Sequence, residues 1–201
     1  MIQFAVIGTS GASISHIKSI KKSNYAECKY IYSRNIHRAE EFSKIFQLIP
    51  TDNYKKILDD TSIQALTITT EPSRHASLAI KALECDKHVL IEKPIDSDLG
   101  NAKKLLEIEE RKKSKLVASV ISQYRFDPIV IRMKKELNNG LIGTPFFCET
   151  KMFWKRTSQY YSSGNGWRRE FGNVLLNQGI HFIDLIVWFF GYPNNIYSRN
   201  Y

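Results

Sequence analysis

Cysteine is scarce in this sequence, and the few cysteines exclude two common uses. Cys28, Cys85 and Cys148 are the only ones in 201 residues, and no two form a C-x-x-C pair. An odd number of widely separated cysteines excludes a disulfide framework and a cysteine-based zinc site. We therefore expect free, buried thiols and no bound metal ion.

Long hydrophobic runs are also missing. The longest apolar candidate, FIDLIVWFFG, contains Asp184 and falls short of the roughly 18 to 20 apolar residues that a membrane span needs. The beginning MIQFAVIG passes directly into a strand-like run, without the charged start and cleavage site of a secretory signal. These features predict a soluble, cytoplasmic protein with no membrane partner.

Acidic residues are outnumbered, with 20 Asp and Glu against 29 Lys and Arg, which gives a net charge of +9. The basic residues are scattered and alternate with Glu, as in AKKLLEIEERKK, and do not form one patch. This distribution argues against a nucleic-acid partner, although a basic nucleic-acid binder stays as an alternative. A basic surface also suits a cofactor or substrate that carries phosphate.

Short β-rich runs alternate with helical stretches from Met1 to about Ser122. Strands that alternate with helices and are apolar almost throughout predict a parallel sheet covered on both faces, which is a doubly wound α/β domain. We expect Ser97 to cap the helix after Pro94. The β-rich runs are IQFAVIG, KYIYS, ALTITT, HVLIEK and KLVASVI, and the helical stretches are HRAEEFSKIF, NYKKILDD, SRHASLAIKALE and SDLGNAKKLLEIEERKK.

The pattern changes after a helix that Asp127 and Pro128 open and Gly140 closes. TPFFCETKMFW predicts a long strand, a polar and aromatic loop covers 155–172, a helix follows, and NIYSRNY begins another strand. So few strands would leave sheet edges and apolar surface open. We expect one domain at 1–122 and a second, incomplete one at 123–201.

The first strand leads into GTSGASISH, which matches the dinucleotide-binding fingerprint G-x-G-x-x-G with serine at two of its three glycine positions. Such a loop presents backbone N–H groups and the positive end of a helix to a pyrophosphate. A serine hydroxyl could also donate to phosphate, although a plain Gly/Ser turn is the alternative interpretation. The predicted cofactor residues are Gly8, Thr9, Ser10, Gly11, Ala12 and Ser13.

The second strand ends in Tyr32-Ser33-Arg34, where an NAD-binding domain usually has an acidic residue for the ribose 2′-hydroxyl. No carboxylate occurs there. Ser33 and Arg34, with Arg38, could instead receive a 2′-phosphate, so we predict NADP in preference to NAD. The alternative is that Arg34 stacks on adenine while NAD binds without an acidic partner.

Two further patterns carry polar residues in apolar surroundings. The strand HVLIEK ends in Glu92-Lys93-Pro94, at the carboxyl edge of the sheet where ligands bind in open α/β folds. In VLLNQGIHFID, Asn177, His181 and Asp184 lie four and three residues apart, which places them on one face of a helix. Such a stripe is either a set of hydrogen-bonded core residues or part of a substrate site.

Taken together, GTSGASISH, TTEPSRH, KHVLIEKP, SQYRFDP, GWRRE and LLNQGIHFIDL resemble the glucose-fructose oxidoreductase, inositol dehydrogenase and MocA family. The resemblance covers residues 2–192 and is closest to the branch that oxidises nucleotide-linked amino sugars. It implies an NAD(P)-binding Rossmann domain, then a domain for substrate binding and dimerisation with an open, mostly antiparallel sheet. It also implies a homo-oligomer in the full-length form and a chain longer than this one.

The resemblance also implies roles for particular residues. His181 would be the base that removes the hydroxyl proton of a sugar, and Lys93 would stabilise the developing alkoxide. The family often has Asp four residues before this histidine. This chain has Asn177 there, as the nucleotide-sugar branch does. Thr70, Glu92, Lys93 and Gln123 are further expected cofactor contacts, and Lys93, Arg125, Tyr161, Trp167, Arg168, Asn177 and His181 are expected substrate contacts.

Three polar residues near these motifs are not expected to act directly in the reaction. We expect His16 to be a packing or capping residue, Glu71 to repel a phosphate, and Asp184 to hold the imidazole of His181 or cap a backbone group.

The leading hypothesis is an NAD(P)-dependent dehydrogenase of a sugar, such as a UDP-amino sugar. The alternative is an inactive or degenerate fragment that only binds a dinucleotide.

Overall fold

The protein divides into two compact units, Met1–Ile121 and Ser122–Tyr201, in a computed structural model that describes residues 1–162, 166–170 and 174–199. Of residue 170 only the backbone is described. The predicted features at 163–165, 171–173 and 200–201 lie outside the described residues.

Unit 1 contains one parallel sheet in the order β3-β2-β1-β4-β5-β6. The order reverses at β1, so the carboxyl ends of β1 and β4 flank the point where doubly wound folds bind ligands. The strands are β1 (Ile2–Ile7), β2 (Ala26–Tyr32), β3 (Ile49–Thr51), β4 (Ala65–Ile68), β5 (His88–Ile91) and β6 (Ala118–Val120).

Helices cover the sheet on both faces, as alternating side chains on β1 show. Val6 packs in a buried cluster with Ile17 and Ala39, whereas its neighbour Ile7 packs in a second cluster with Leu83 and Leu105. Successive side chains of a strand point to opposite faces, so the two clusters lie on opposite sides. The predicted doubly wound sheet is confirmed. The helices are α1 (Gly11–Lys22), α2 (Ile36–Phe46), α3 (Tyr54–Asp59), α4 (His75–Glu84) and α5 (Leu99–Lys112).

Two local predictions differ from the structure. Asp98, and not Ser97, caps α5, because the helix begins at Leu99 and the Asp98 carboxylate accepts a hydrogen bond from the Asn101 N–H at 2.8 Å. The third strand, β3, contains Pro50 and only three residues. A short edge strand with proline has almost no sequence signal, which is why it was not predicted.

The prediction of buried thiols holds for one cysteine of the three. Cys28 is buried, and burial raises the pKa of its thiol to about 12. Cys85 and Cys148 are exposed. Cys85 is the residue directly after the end of α4. The chain turns there at the surface, so Cys85 is exposed although cysteine is an apolar residue.

Helices and irregular segments make up the described residues of unit 2. The strand predicted at 144–154 is absent, because these residues are irregular, and no described residue of 195–199 forms the other predicted strand. A strand needs a neighbouring strand for its backbone hydrogen bonds. In 144–154, Phe146 and Phe153 are exposed. The predicted loop at 155–172 contains short helices. The helices are α6 (Pro128–Asn138), α7 (Ser158–Ser162), α8 (Trp167–Glu170) and α9 (Ile180–Phe190), with α9 preceded by a π turn at Leu175–Gly179.

Asp127 caps α6 as predicted, since its carboxylate accepts hydrogen bonds from the Ile129 and Val130 N–H groups. No helix formed by the described residues is long and apolar enough to cross a membrane.

Candidate functional site

The loop that follows β1 has the geometry of a phosphate-binding turn. Gly8 has a φ angle of +124°, and its N–H donates to the Tyr32 carbonyl at 2.9 Å. A Cβ atom at this position would lie 2.8–2.9 Å from atoms of Thr69. The loop then enters α1, a helix of 12 residues whose N-terminal N–H groups are suited to an anion.

The two serines that replace fingerprint glycines hold the loop together. Ser10 caps α1 and its hydroxyl donates to the Thr69 carbonyl at 2.9 Å. The buried Ser13 hydroxyl accepts from the Ser10 N–H at 2.8 Å and donates to the Gly8 carbonyl at 2.9 Å. The sequence suggested that these hydroxyls could donate to phosphate, but in this structure they donate to backbone carbonyls, that of Gly8 in the loop and that of Thr69 after β4. The backbone therefore carries the anion-binding capacity.

Gly8 provides a test of this loop. We predict that Gly8→Ala lowers the free energy of unfolding by about 3 kcal/mol, because the new Cβ meets Thr69 in a backbone conformation that alanine rarely adopts. Urea denaturation measures the change. The matched control is Gly11→Ala, where the added Cβ has nothing within 4 Å and the effect should stay within about 1 kcal/mol. Equal stability of the two variants would contradict the strained geometry.

The predicted ribose-binding residues lie around the start of the same loop. The Ser33 hydroxyl is 3.5 Å from the Thr9 hydroxyl, and Arg38 donates to the Thr9 carbonyl at 3.1 Å. Arg34 donates to the Glu71 carboxylate at 2.7 Å. The Arg34 side chain is 63% exposed, and such surface pairs are weak, so a phosphate could compete for the guanidinium. Glu71 was expected to repel a phosphate; here it forms an ion pair with the arginine.

The Glu92-Lys93-Pro94 turn follows β5 and is held by hydrogen bonds on both sides of Lys93. Glu92 accepts from the Lys93 N–H at 3.1 Å and from His16 Nε2 at 3.0 Å. The Pro94 carbonyl lies 2.7 Å from Nδ1 of the buried His75. Lys93 is half-buried, and the Lys93–Pro94 bond is cis.

His75 connects two loops at the carboxyl edge of the sheet. Its Nε2 lies 2.9 Å from the Thr70 carbonyl, while its Nδ1 faces Pro94. The Thr70 hydroxyl donates to the Glu71 carbonyl at 3.3 Å. Thr70 and Lys93, both predicted cofactor residues, thus belong to loops that share one buried histidine.

His16 has a different role from the expected packing or capping. It lies on α1, and its Nδ1 is 2.6 Å from the Thr67 hydroxyl while its Nε2 bonds to Glu92. Burial raises the pKa of Glu92. The hydrogen bond from His16, the charge of His16 and the Lys93 N–H together lower this pKa by more than burial raises it, so it lies below its ordinary value. Glu92 is therefore a carboxylate at neutral pH.

In unit 2, the three residues of the polar stripe have three different partners. Asn177 lies in the π turn and donates to the Tyr160 hydroxyl at 2.7 Å. His181 is buried on α9, and its ring stacks on Tyr124 with centroids 4.7 Å apart. Asp184 forms a bidentate ion pair with Arg125, at 2.9 and 2.6 Å. Each residue of the stripe therefore contacts a different side chain of unit 2.

The Asp184 ion pair gives Asp184 a partner that was not predicted. Asp184 was expected to orient His181 or cap a backbone group, but it binds the Arg125 guanidinium, which is a stronger partner for a carboxylate. The substrate contact expected of Arg125 stays a prediction. Gln123, a predicted cofactor contact, begins the adjoining turn Gln123–Phe126 and is exposed.

Tyr160, which the sequence suggests together with Tyr161, Trp167 and Arg168 as a residue that could bind sugar, has charged and polar neighbours on its ring and hydroxyl. The Tyr160 ring packs under two guanidinium groups, Arg168 at 4.7 Å and Arg156 at 5.0 Å. Burial raises the pKa of Tyr160, but a hydrogen bond from Gln178 and the two arginine charges lower it below its ordinary value. Arg168 also lies over the predicted Trp167 at 4.6 Å, and Tyr161 contacts the Tyr160 ring edge-on.

Comparison with known proteins identifies the class. Residues 2–120 match the model of the Gfo/Idh/MocA oxidoreductase family with an NAD-binding Rossmann fold, and residues 130–200 match a C-terminal domain of the same family. The chain belongs to this family, as the sequence motifs predicted.

Three similar proteins illustrate the match. Glucose-6-phosphate 3-dehydrogenase of Bacillus subtilis is 27% identical over 195 residues, which cover 94% of this chain and 54% of that protein. The WlbA dehydrogenase of Bordetella pertussis, solved with NADH and UDP-GlcNAcA, has a TM-score of 0.88 and 24% identity, over 94% of this chain and 55% of that one. Myo-inositol dehydrogenase of Lactobacillus casei, solved with NAD(H) and myo-inositol, has a TM-score of 0.68 and 28% identity, over 72% and 43%. The chain spans about half the length of the relatives it matches.

Proposed function

We propose that the protein is an NADP-preferring oxidoreductase that transfers hydride between a ring hydroxyl of a sugar, in particular a nucleotide-linked amino sugar, and nicotinamide. The observation that carries this proposal is the turn at Lys93, which hydrogen bonds hold at the carboxyl edge of a dinucleotide-binding sheet. In this proposal residues 1–122 bind the cofactor and residues 123–201 contribute to sugar binding. The relatives support the substrate class, since one acts on a sugar phosphate and another binds a UDP-sugar.

The chemistry needs a hydride acceptor and a base. NADP, which the loop at 8–13 with Ser33 and Arg34 would hold, would accept the hydride of the carbinol C–H, while His181 would take the hydroxyl proton and a ketone would be left. The Lys93 ammonium stabilises the negative charge that develops on the oxygen. NADP supplies the electron acceptor, and these two side chains manage the proton and the charge.

The remaining polar residues of unit 2 suit a sugar that carries an anionic group. Arg168 supplies a guanidinium that can bind phosphate or carboxylate in a bidentate manner. Trp167 and Tyr160, which lie beside it, offer ring faces that suit a pyranose. Asn177, bonded to the Tyr160 hydroxyl, offers amide groups for a sugar hydroxyl.

A hydride-transfer assay tests the function. The purified chain is incubated with NADP⁺ and, separately, glucose 6-phosphate, myo-inositol, UDP-N-acetylglucosamine and its 6-carboxylate, and NADPH formation is followed at 340 nm. We expect turnover with at least one of the UDP-linked sugars. Binding of NADPH without turnover on any substrate would favour a chain that only binds a dinucleotide. Absence of NADPH binding would defeat both.

The preference for NADP is testable at Ser33. We predict that NADPH binds about tenfold more tightly than NADH, a difference of about 1.4 kcal/mol, because Arg34 and Arg38 meet the 2′-phosphate. Ser33→Asp should reverse the preference, since a carboxylate accepts from a ribose hydroxyl and repels a phosphate. Fluorescence titration measures both constants, and Ser114→Asp, which adds the same charge at an exposed turn, is the control. Tighter NADH binding by the unaltered chain would refute the preference.

A further inference from the structure

His16 is the one histidine of α1, and both of its ring nitrogens face polar side chains. Nδ1 lies 2.6 Å from the hydroxyl of Thr67 on β4, and Nε2 lies 3.0 Å from Oε1 of Glu92 after β5. The His16 side chain is only 11% exposed and that of Glu92 18%. A helix that begins at the phosphate loop is thereby joined to the turn that carries Lys93.

The charge state of Glu92 fixes the direction of these bonds. Because Glu92 is ionised, it can only accept, so Nε2 of His16 must carry a hydrogen. The Thr67 hydroxyl can donate to Nδ1 of a neutral ring or accept from a protonated one, so the Nε2–H group is present in either state. The arrangement is a carboxylate oriented by an imidazole, which is in turn oriented by a buried hydroxyl.

The second carboxylate oxygen of Glu92 transmits this order to Lys93. Oε2 accepts from the Lys93 N–H at 3.1 Å while Oε1 is held by His16. The Glu92 N–H donates to the Ile68 carbonyl at 2.9 Å, in continuation of the sheet ladder. Rotation of the Glu92 side chain would therefore release the Lys93 backbone but leave the strand before it in place.

We infer that His16 is a positioning residue for Lys93: through the Glu92 carboxylate it fixes the backbone from which the Lys93 ammonium reaches its target. The inference rests on the proposed function only in treating Lys93 as the reacting group. Through α1 the same histidine couples the placement of Lys93 to the loop that receives the cofactor phosphates. His75 holds the other side of the turn at the Pro94 carbonyl.

Amide hydrogen exchange tests the inference without any turnover. We compare the unaltered chain with His16→Leu, which removes the donor, and His16→Gln, which keeps an N–H at a similar distance from the backbone. In His16→Leu the Lys93 amide should exchange about tenfold faster or more, as expected for loss of a hydrogen bond to a charged group. In His16→Gln it should stay within about threefold. The Glu92 amide is the internal reference, and His37→Leu, at an exposed histidine, is the matched control.

Steady-state kinetics give the second arm. His16→Leu should lower kcat about tenfold or more with the dissociation constant for NADPH within about threefold of the unaltered value, and His16→Gln should restore most of kcat. A general structural role would accelerate exchange at Glu92 and Lys93 alike, and rescue by glutamine would be absent.

The outcomes separate the two claims. If the unaltered chain has no turnover, the proposed function fails and the exchange rates alone decide the role of His16. If it turns over and His16→Leu matches it in Lys93 exchange and in kcat, the inference is overturned and the proposed function stands. Equal acceleration at Glu92 and Lys93 also overturns it.

Discussion

Lys93→Met should reduce turnover by about a hundredfold to a thousandfold and leave NADPH binding within about threefold, since a donor at a developing alkoxide typically contributes this much to the rate. Methionine nearly matches the length of lysine without its charge. Glu92 and His75 hold the turn through the Lys93 N–H and the Pro94 carbonyl, and methionine at 93 keeps both of these hydrogen bonds. Single-turnover rates of NADPH formation separate the chemical step from binding.

Lys104→Met is the matched control for this experiment. Lys104 lies on α5 and is exposed, so removal of its charge should change neither binding nor rate. Turnover of Lys93→Met at the unaltered rate would remove Lys93 from the chemistry. A loss of NADPH binding would instead identify it as a cofactor ligand only.

His181→Asn should lower the rate of hydride transfer by about a hundredfold to ten-thousandfold, which is the usual contribution of a positioned general base. Asparagine keeps a polar side chain near Tyr124 but cannot take a proton at neutral pH. The ion pair between Asp184 and Arg125, one turn further along α9, does not involve His181 and should persist.

The result must also separate loss of the base from loss of the fold. His37→Asn removes an exposed histidine and should leave the rate unchanged. Thermal unfolding of His181→Asn should stay close to that of the unaltered chain. If the rate is retained, a different group takes the proton, and Tyr160, whose pKa is lowered by two arginines, is the next residue to replace.

The doubly wound sheet could be predicted because alternation of apolar strands with helices is a local pattern. The phosphate loop and the turn at Lys93 could be predicted for a related reason, since both follow strands directly. The short strand β3 lacked this signal. The lack of strands among the described residues of unit 2 could not be predicted either, because extended residues form a sheet only when another strand is present to pair with them.

Side-chain partners were the part that sequence could not provide. His16 and Glu92 are 76 residues apart, and Arg125 and Asp184 are 59 apart. No local spacing connects either pair, so neither partnership could be predicted. The serines of the phosphate loop illustrate the same limit, since their hydroxyls satisfy carbonyls that only the folded loop brings near.

The central proposal is that the ammonium of Lys93 and the imidazole of His181 both act on the sugar hydroxyl that reacts with the nicotinamide, so both would lie near the nicotinamide C4. Nuclear Overhauser effects in the complex of the chain with NADPH measure this directly, with lysine and histidine side chains labelled with ¹³C. The account predicts contacts from the nicotinamide C4 hydrogens to the Lys93 Hε and the His181 ring hydrogens. Contacts to one residue without the other, or to neither while NADPH is bound, would contradict it.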